Sequence, residues 1–341
     1  MLFIITFSVL SLNLAHGRGA AEEELVNKRE IPTDQINTIV IRYRSEAVTL
    51  LRHNSDTIVI REYMSRNNSY FFANVTHSGN ELIITGRRPM QWLFPFRSRV
   101  EISIPASNRN VTIRTSSGRI KVLGEHTVSS LEIESSSGRV SVNSVTADRV
   151  KIETSSGTIT VGSINGDVSV RSLSGRIELN QVSGSLTANT SSGVFSSATV
   201  NGNIDIRTNS GNIVIGSIDG NVSARTTSGR IELDKVNGTV DISSSSGVIR
   251  CTVAENAGDI SITTSSGGVV LNLPNNFAFN FLSRTSSGML HTPFTDQLAI
   301  PLADRNTVQG VIVGDNIYAG QIHRNINIRT SSGSIRVNWA D

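Results

Sequence analysis

A glycine falls at every ninth residue from Gly157 to Gly247, and this period restricts the chain to folds that repeat. Alternate glycines sit in different words. Gly157, Gly175, Gly193, Gly211, Gly229 and Gly247 each follow a serine, whereas Gly166, Gly202, Gly220 and Gly238 close Asn-Gly or Asp-Gly pairs and Gly184 a Ser-Gly pair. The repeat is therefore 18 residues long, made of two unequal halves of nine. After a Ser-Gly corner, apolar residues take the second, fourth and seventh places, as in Ile177, Leu179, Val182 and again in Ile231, Leu233, Val236. After the second glycine they take the second and fourth (Leu186, Ala188; Ile204, Ile206), and a hydroxyl such as Thr190 or Thr208 takes the sixth.

Strict alternation over four or five residues specifies a strand with one buried face. The step from the fourth to the seventh place breaks that parity, so the chain must bend between them. Asn-Gly on its own would suggest hairpins, but bent halves fit a coil with corners better than an up-and-down meander. The expected fold is all-β: a parallel β-solenoid, or β-helix, of 18-residue coils in which like residues stack into columns. Glycine at the corners is expected to supply positive φ without steric cost. A 5% share of aromatics and an abundance of Gly, Ser, Thr, Val and Ile suit a narrow core lined by β-branched residues. A net charge of +3 is too small for 341 residues to mark a nucleic-acid binder.

In chain order, residues 1–17 read as a signal peptide, an apolar run at Leu2–Leu12 followed by small or polar residues ending Ala15-His16-Gly17. No later apolar stretch is long enough to span a membrane. Residues 18–35, with Glu22-Glu23-Glu24 and Lys28-Arg29, read as a flexible lead-in open to trimming at the basic pair. Residues 36–105 hold strand-like runs without the nine-residue spacing (Ile39–Ile41, Val48–Leu51, Ile58–Ile60, Tyr70–Phe72, Leu82–Ile84, Val100–Ile104) and are expected to be an irregular β capping region. Residues 106–341 form the solenoid, entering loosely with Gly118, Gly138 and Gly157 at spacings of 20 and 19. An insertion with Pro293 and Pro301 follows, and Thr330-Ser331-Ser332-Gly333 returns to register as the closing cap.

Val100-Glu101-Ile102-Ser103-Ile104-Pro105, the entry Thr115-Ser116-Ser117-Gly118-Arg119-Ile120, the Thr-Ser-Ser-Gly array and its closing Ser-Ile-Arg-Val together resemble the "putative adhesin" family of β-strand-repeat proteins over roughly residues 36–341. The resemblance implies a β-solenoid-like fold and a cell-surface or envelope setting. It brings no catalytic motif to transfer.

Catalytic, cofactor-binding and metal-binding residues are expected to be none. The histidines lack ligand spacing, and Asp167, Asp205, Asp219, Asp234, Asp241 and Asp259 follow the repeat as turn and surface residues. Cys251 takes an inward place equivalent to Leu179 and Leu233, as a small core residue. Three outward features are candidates. Arg119, Arg139, Arg176 and Arg230 share the first place after the corner, forming either a cation ladder for sulfated or carboxylated glycan or a solvated face. Trp92, Leu93, Phe94 and Phe96, among arginines, form either a partner or membrane loop or a plug for the end of the core. Asn67, Asn74, Asn110, Asn189, Asn221 and Asn237 begin N-glycosylation sequons. The sequence thus reads as a secreted or cell-surface, non-enzymatic structural or adhesive module whose partner is an extracellular glycan or surface component. The alternative from another class is a carbohydrate-active β-helix enzyme. Self-association is not legible.

Overall fold

The computed structural model describes residues 23–87, 96–106, 109–275, 277–294, 302–303, 307–312 and 324–340. The expected signal peptide, Trp92, Leu93 and Phe94 lie outside these residues. The chain forms two compact units, Met1–Asp167 and Val168–Asp341.

The second unit carries the regular array. Strands Leu186–Thr190, Ile204–Thr208, Val222–Thr226, Val240–Ser244 and Ile260–Thr264 pair in parallel on one face, and Ile177–Ser183, Phe195–Asn201, Ile213–Asp219, Ile231–Val236, Ile249–Val253 and Val269–Pro274 on another. Register is residue i on i+18 through the regular coils, as in Leu186↔Ile204 and Ile177↔Phe195, and i on i+20 at the last pair, as in Val240↔Ile260 and Ile249↔Val269. Ile177, Leu179, Ile231 and Leu233 are buried, Arg176 and Arg230 are exposed, and Glu178 and Glu232 are half-buried. The unit is a parallel β-solenoid, and the hairpin alternative does not occur within the array.

The corners obey two different rules. In the Asn-Gly half, glycine has the expected positive φ, 155° at Gly202. The Ser-Gly glycines answer to space alone: a Cβ on Gly193 would be driven into the carbonyl oxygen of Gly175 one coil below, a clash that a Cβ on Gly202 would also meet at Gly184 in the other half. Positive φ thus holds at Gly166, Gly184, Gly202 and Gly220 and not at the other Ser-Gly corners, where coil-to-coil contact, which a purely local argument does not see, selects glycine.

The first unit repeats the same architecture with coils of 20 and 19 residues, Ser130 lying on Asn110 and Arg149 on Ser130. It departs from the sequence reading at its start. Strand Glu24–Pro32 occupies much of the expected flexible lead-in, antiparallel to Thr57–Met64. Arg29 there binds the buried Glu62 carboxylate at 3.0 Å, and Asn27 and the Ala73 amide bind it at 2.6 and 2.7 Å. The Lys28-Arg29 pair is thus built into the fold. Tyr70 and Phe71 belong to a 3-10 turn, Ser69–Phe71, because the Asn68 side chain accepts a hydrogen bond from the Tyr70 amide at 3.0 Å.

The capping region also contributes a true coil. Thr38–Arg42 lies between Glu81–Thr85 and Asn110–Thr115, and Ala47–His53 between Ser98–Pro105 and Ile120–Thr127, all in parallel. Its corner replaces threonine and glycine by Tyr43 and Glu46. The Glu46 carboxylate accepts from the Arg44 and Ser45 amides at 3.1 and 2.9 Å. The outer strands are covered by antiparallel Thr57–Met64 and Asn74–Ser78, which removes open edges that would template association.

The second unit ends by the same device. Asn325–Thr330 and Ile335–Ala340 lie between the coil at 260–274 and the coil at 279–291, so the closing Thr-Ser-Ser-Gly word is the penultimate corner rather than the last. Antiparallel Thr307–Ile312 covers Phe279–Thr285. Beneath it Phe277, Phe279, Phe281, Phe294 and Trp339 form a ring cluster, with centroids of Phe281 and Phe294 5.0 Å apart. An aromatic plug thus exists at the end where the sequence reading did not look for one.

Candidate functional site

In the first unit, two residues singled out for different reasons meet. Arg119, from the cation column, and Phe96, from the aromatic segment, both line a groove of about 430 Å³ with Glu23, Ser45, Glu46, Ala47, Arg97 and Ser98. The strand pairing explains the meeting. Ala47–His53 pairs with Ser98–Pro105 on one side and with Ile120–Thr127 on the other, which brings the residues just before those strands, Phe96-Arg97 and Arg119, to the same corner. The Val48 amide donates to the Arg119 carbonyl at 2.8 Å, fixing that approach. Both carboxylates of the groove are engaged. Glu46 holds its own corner, and Glu23 meets the Arg99 Nε at 3.1 Å. Arg97 and Arg119 are exposed and enter no ion pair among the described residues. Phe96 is half-buried, edge-to-face with Phe71 at 5.1 Å, and Phe71 in turn meets the exposed Tyr70 at 5.7 Å. The groove therefore offers two unneutralised guanidinium forks beside an aromatic edge.

The other members of the cation column do not assemble a site. Arg139 is exposed one coil above Arg119, its carbonyl accepting from the Ile120 amide. In the second unit Arg176 pairs with Glu178 at 3.3 Å. Two coils bearing Val194 and Asn212 at the same place separate it from Arg230.

A different outward column was missed. Register aligns Arg171, Asn189, Arg207 and Arg225 on successive coils of the second unit. The first three line a groove of about 450 Å³ with Ser172, Leu173, Thr190, Ser191, Thr208 and Asn209. Arg225 meets Asp241 at 2.8 Å, and Arg207 meets Asp205 at 3.0 Å. Ser169 stands where Asp205 stands two coils on, and Arg171 enters no ion pair among the described residues. The signal lies in the fifth place after Gly166, Gly184, Gly202 and Gly220.

Among the sequons, Asn67, Asn74, Asn110, Asn189 and Asn221 are exposed and Asn237 is half-buried. Cys251 is fully buried between Leu233 and Leu271, and burial pushes its thiol up to about 12. Among the described residues no group of three or more His, Cys, Asp or Glu is placed to hold a metal ion, and no helix is long and apolar enough to cross a membrane.

Stacked coils with capped ends define a protein of the parallel β-solenoid class. The chain belongs to the family described as Toastrack DUF4097, whose model matches residues 36–224 and 203–338. It is similar to a "putative cell adhesion protein" of Clostridium sporogenes (9% identity, 93% of this chain and 99% of that one covered, TM-score 0.20). It is also similar to "putative adhesins" of Bacteroides fragilis (15%, 73% and 97%, 0.35) and Parabacteroides distasonis (16%, 72% and 95%, 0.35). No curated protein matches the chain.

Proposed function

We propose that this toastrack protein is a non-enzymatic module, secreted or displayed at the cell surface, that holds an acidic glycan of its surroundings in the groove of the first unit. One observation carries the reading: Arg97, Arg119 and Phe96 line one groove, and neither guanidinium is neutralised by a described carboxylate. Guanidinium forks suit carboxylate and sulfate oxygens, and the ring adds apolar surface against which the C–H groups of a sugar can pack. Ser45 and Ser98 at the same wall add hydroxyls of the kind that pair with sugar hydroxyls. The carbohydrate-active alternative requires two carboxyl groups free to act as acid and as base or nucleophile. Glu23 and Glu46 are both committed to internal partners, which supports binding over hydrolysis.

A glycan array probed with the purified chain and with an Arg97→Gln/Arg119→Gln variant tests the reading. Selective retention of sialylated, uronic-acid or sulfated glycans, clearly reduced in the variant, is the expected result. Equal retention by both proteins, or release of reducing ends from any bound glycan, would sink it.

A further inference from the structure

In a solenoid the repeat itself is scaffold, so a site is best sought where the repeat is broken outward. The second unit breaks it at Leu173. Hydrogen bonds from the Ser191 and Ser192 amides to the Leu173 carbonyl, and from the Asn209 and Ser210 amides to that of Ser191, place Leu173, Ser191 and Asn209 at one corner position on successive coils. Ser245, Ser265 and Ser331 hold the same position further along the stack. Leu173 is the large apolar residue of that column and is 48% exposed. It has no inward role to explain it, and it lines the groove with Arg171, Asn189, Arg207 and Asn209.

The groove runs along the stack, across the strands. Successive coils lie ~4.8 Å apart, so Arg171 and Arg207, two coils apart, stand roughly 10 Å from each other with Asn189 midway. The order along the groove is cation, neutral amide, cation. Arg207 spends one edge of its guanidinium on Asp205 and retains further N–H donors. Amides and hydroxyls of Asn189, Ser191 and Asn209 complete the wall, and Leu173 supplies an apolar face at one end.

We infer that this groove is a second binding site, independent of the one in the first unit, for a linear polysaccharide that carries an acidic group on alternate sugars. Such a chain lies along the stack with one sugar per coil. Its acidic groups meet Arg171 and Arg207, and the neutral sugar between them meets the Asn189 amide. A nucleic acid is the poorer fit. No aromatic ring lines the groove to stack a base, and Asp205 and Asp241 interrupt the cation column further along.

The test uses the full chain made in a host that adds no N-glycans, because a glycan on Asn189 would fill the groove. Calorimetry with a hyaluronan octasaccharide, in which each uronate alternates with a neutral N-acetylhexosamine, should show binding that falls about tenfold or more in Arg171→Gln and in Arg207→Gln. Leu173→Ser, which restores a repeat residue, should weaken it several-fold. Arg225→Gln, which alters the same column outside the groove, should leave binding unchanged, and each titration is repeated in an Arg97→Gln/Arg119→Gln background so that the first unit's groove does not contribute. Equal losses in Arg225→Gln would reduce the effect to diffuse charge and overturn the site. So would equal affinity for a single-stranded oligonucleotide, or no binding by the wild-type chain.

Discussion

The Thr208 hydroxyl accepts a hydrogen bond from the Gly211 amide at 2.8 Å, closing the corner from inside. The same bond recurs at 3.0 Å between Thr154 and Gly157 and at 3.0 Å between Thr330 and Gly333. The Thr-Ser-Ser-Gly word is therefore a small machine for turning the chain. The buried hydroxyl satisfies an amide that the bend removes from the sheet ladder, and the glycine lets the next coil approach. Thr208→Val keeps the shape but strands that amide, at a cost of about 1–3 kcal/mol. Gly211→Ala pushes a Cβ into the Gly193 carbonyl and should cost a similar or larger amount, ~1–3 kcal/mol or more. Thr208→Ser, with the hydroxyl retained, should stay close to wild type. Chemical denaturation of the three variants decides the order.

Phe195 and Ser197 compensate one another. They stack between Ile177 and Leu179 below and Ile213 and Ile215 above, so one coil exchanges two branched aliphatics for one large and one small residue. The Ser197 hydroxyl is buried with no hydrogen-bond partner among the described residues. Ser197→Ala should therefore raise stability by up to about 1 kcal/mol. Ser197→Leu alone should overpack the coil by ~1–3 kcal/mol, and Phe195→Ile in the same chain should recover most of that loss. An additive double-mutant cycle would refute the compensation.

His126 makes the first unit sensitive to mild acid. It occupies an inward column on Val145 and is 4% exposed. Burial lowers its pKa, the bond to the Leu123 carbonyl at 3.0 Å opposes the shift, and Arg52 adds to it. A pKa below the unfolded value of about 6.5 means that the unfolded chain binds the proton more readily. This contribution is fully present above pH ~6.5 and is lost as pH falls toward the lowered pKa. His126→Val, matching Val145, should flatten the dependence of the melting temperature on pH between about 7 and 5. The same slope in variant and wild type would assign the acid sensitivity elsewhere.

Arg29 and Glu62 hold the N-terminal cap. Arg29→Ala would leave a carboxylate that is 2% exposed without its cation and should cost ~3–5 kcal/mol. Proteolysis by a dibasic-specific protease should accordingly fail on the folded chain and succeed after unfolding. Cleavage after Arg29 in native protein would contradict the strand assigned there.

If the chain passes through a glycosylating secretory pathway, Asn189 should be modified and Asn237, half-buried at its corner, should not. Peptide mapping reads this directly. Modification at Asn189 should also abolish hyaluronan binding in the second unit, and the same chain made in a host that adds no N-glycans should bind.

The period alone determined the coil. Alternation fixed which face of each nine-residue half is buried, the parity break fixed the bend, and the column that holds Leu233 and Cys251 followed without further information. These are local rules repeated many times, and local rules are what a sequence states openly. Tertiary structure decided where repetition stops. Thr330-Ser331-Ser332-Gly333 reads as the final corner, yet the coil at 279–291 stacks outside it, because identical corner words are interchangeable in sequence and only the edge coverage by Thr307–Ile312 selects the order. In the same way Thr38–His53, with Tyr43 and Glu46 in place of threonine and glycine, carries none of the repeat's words but stacks as a coil on Asn110–Thr127. The binding grooves belong to this second kind of information. Arg119 and Phe96 are 23 positions apart and of unrelated pattern, and they meet because Ala47–His53 is inserted between the two strands that follow them. Long-range strand order depends on which edges remain to be covered, a property of the whole stack rather than of any stretch within it.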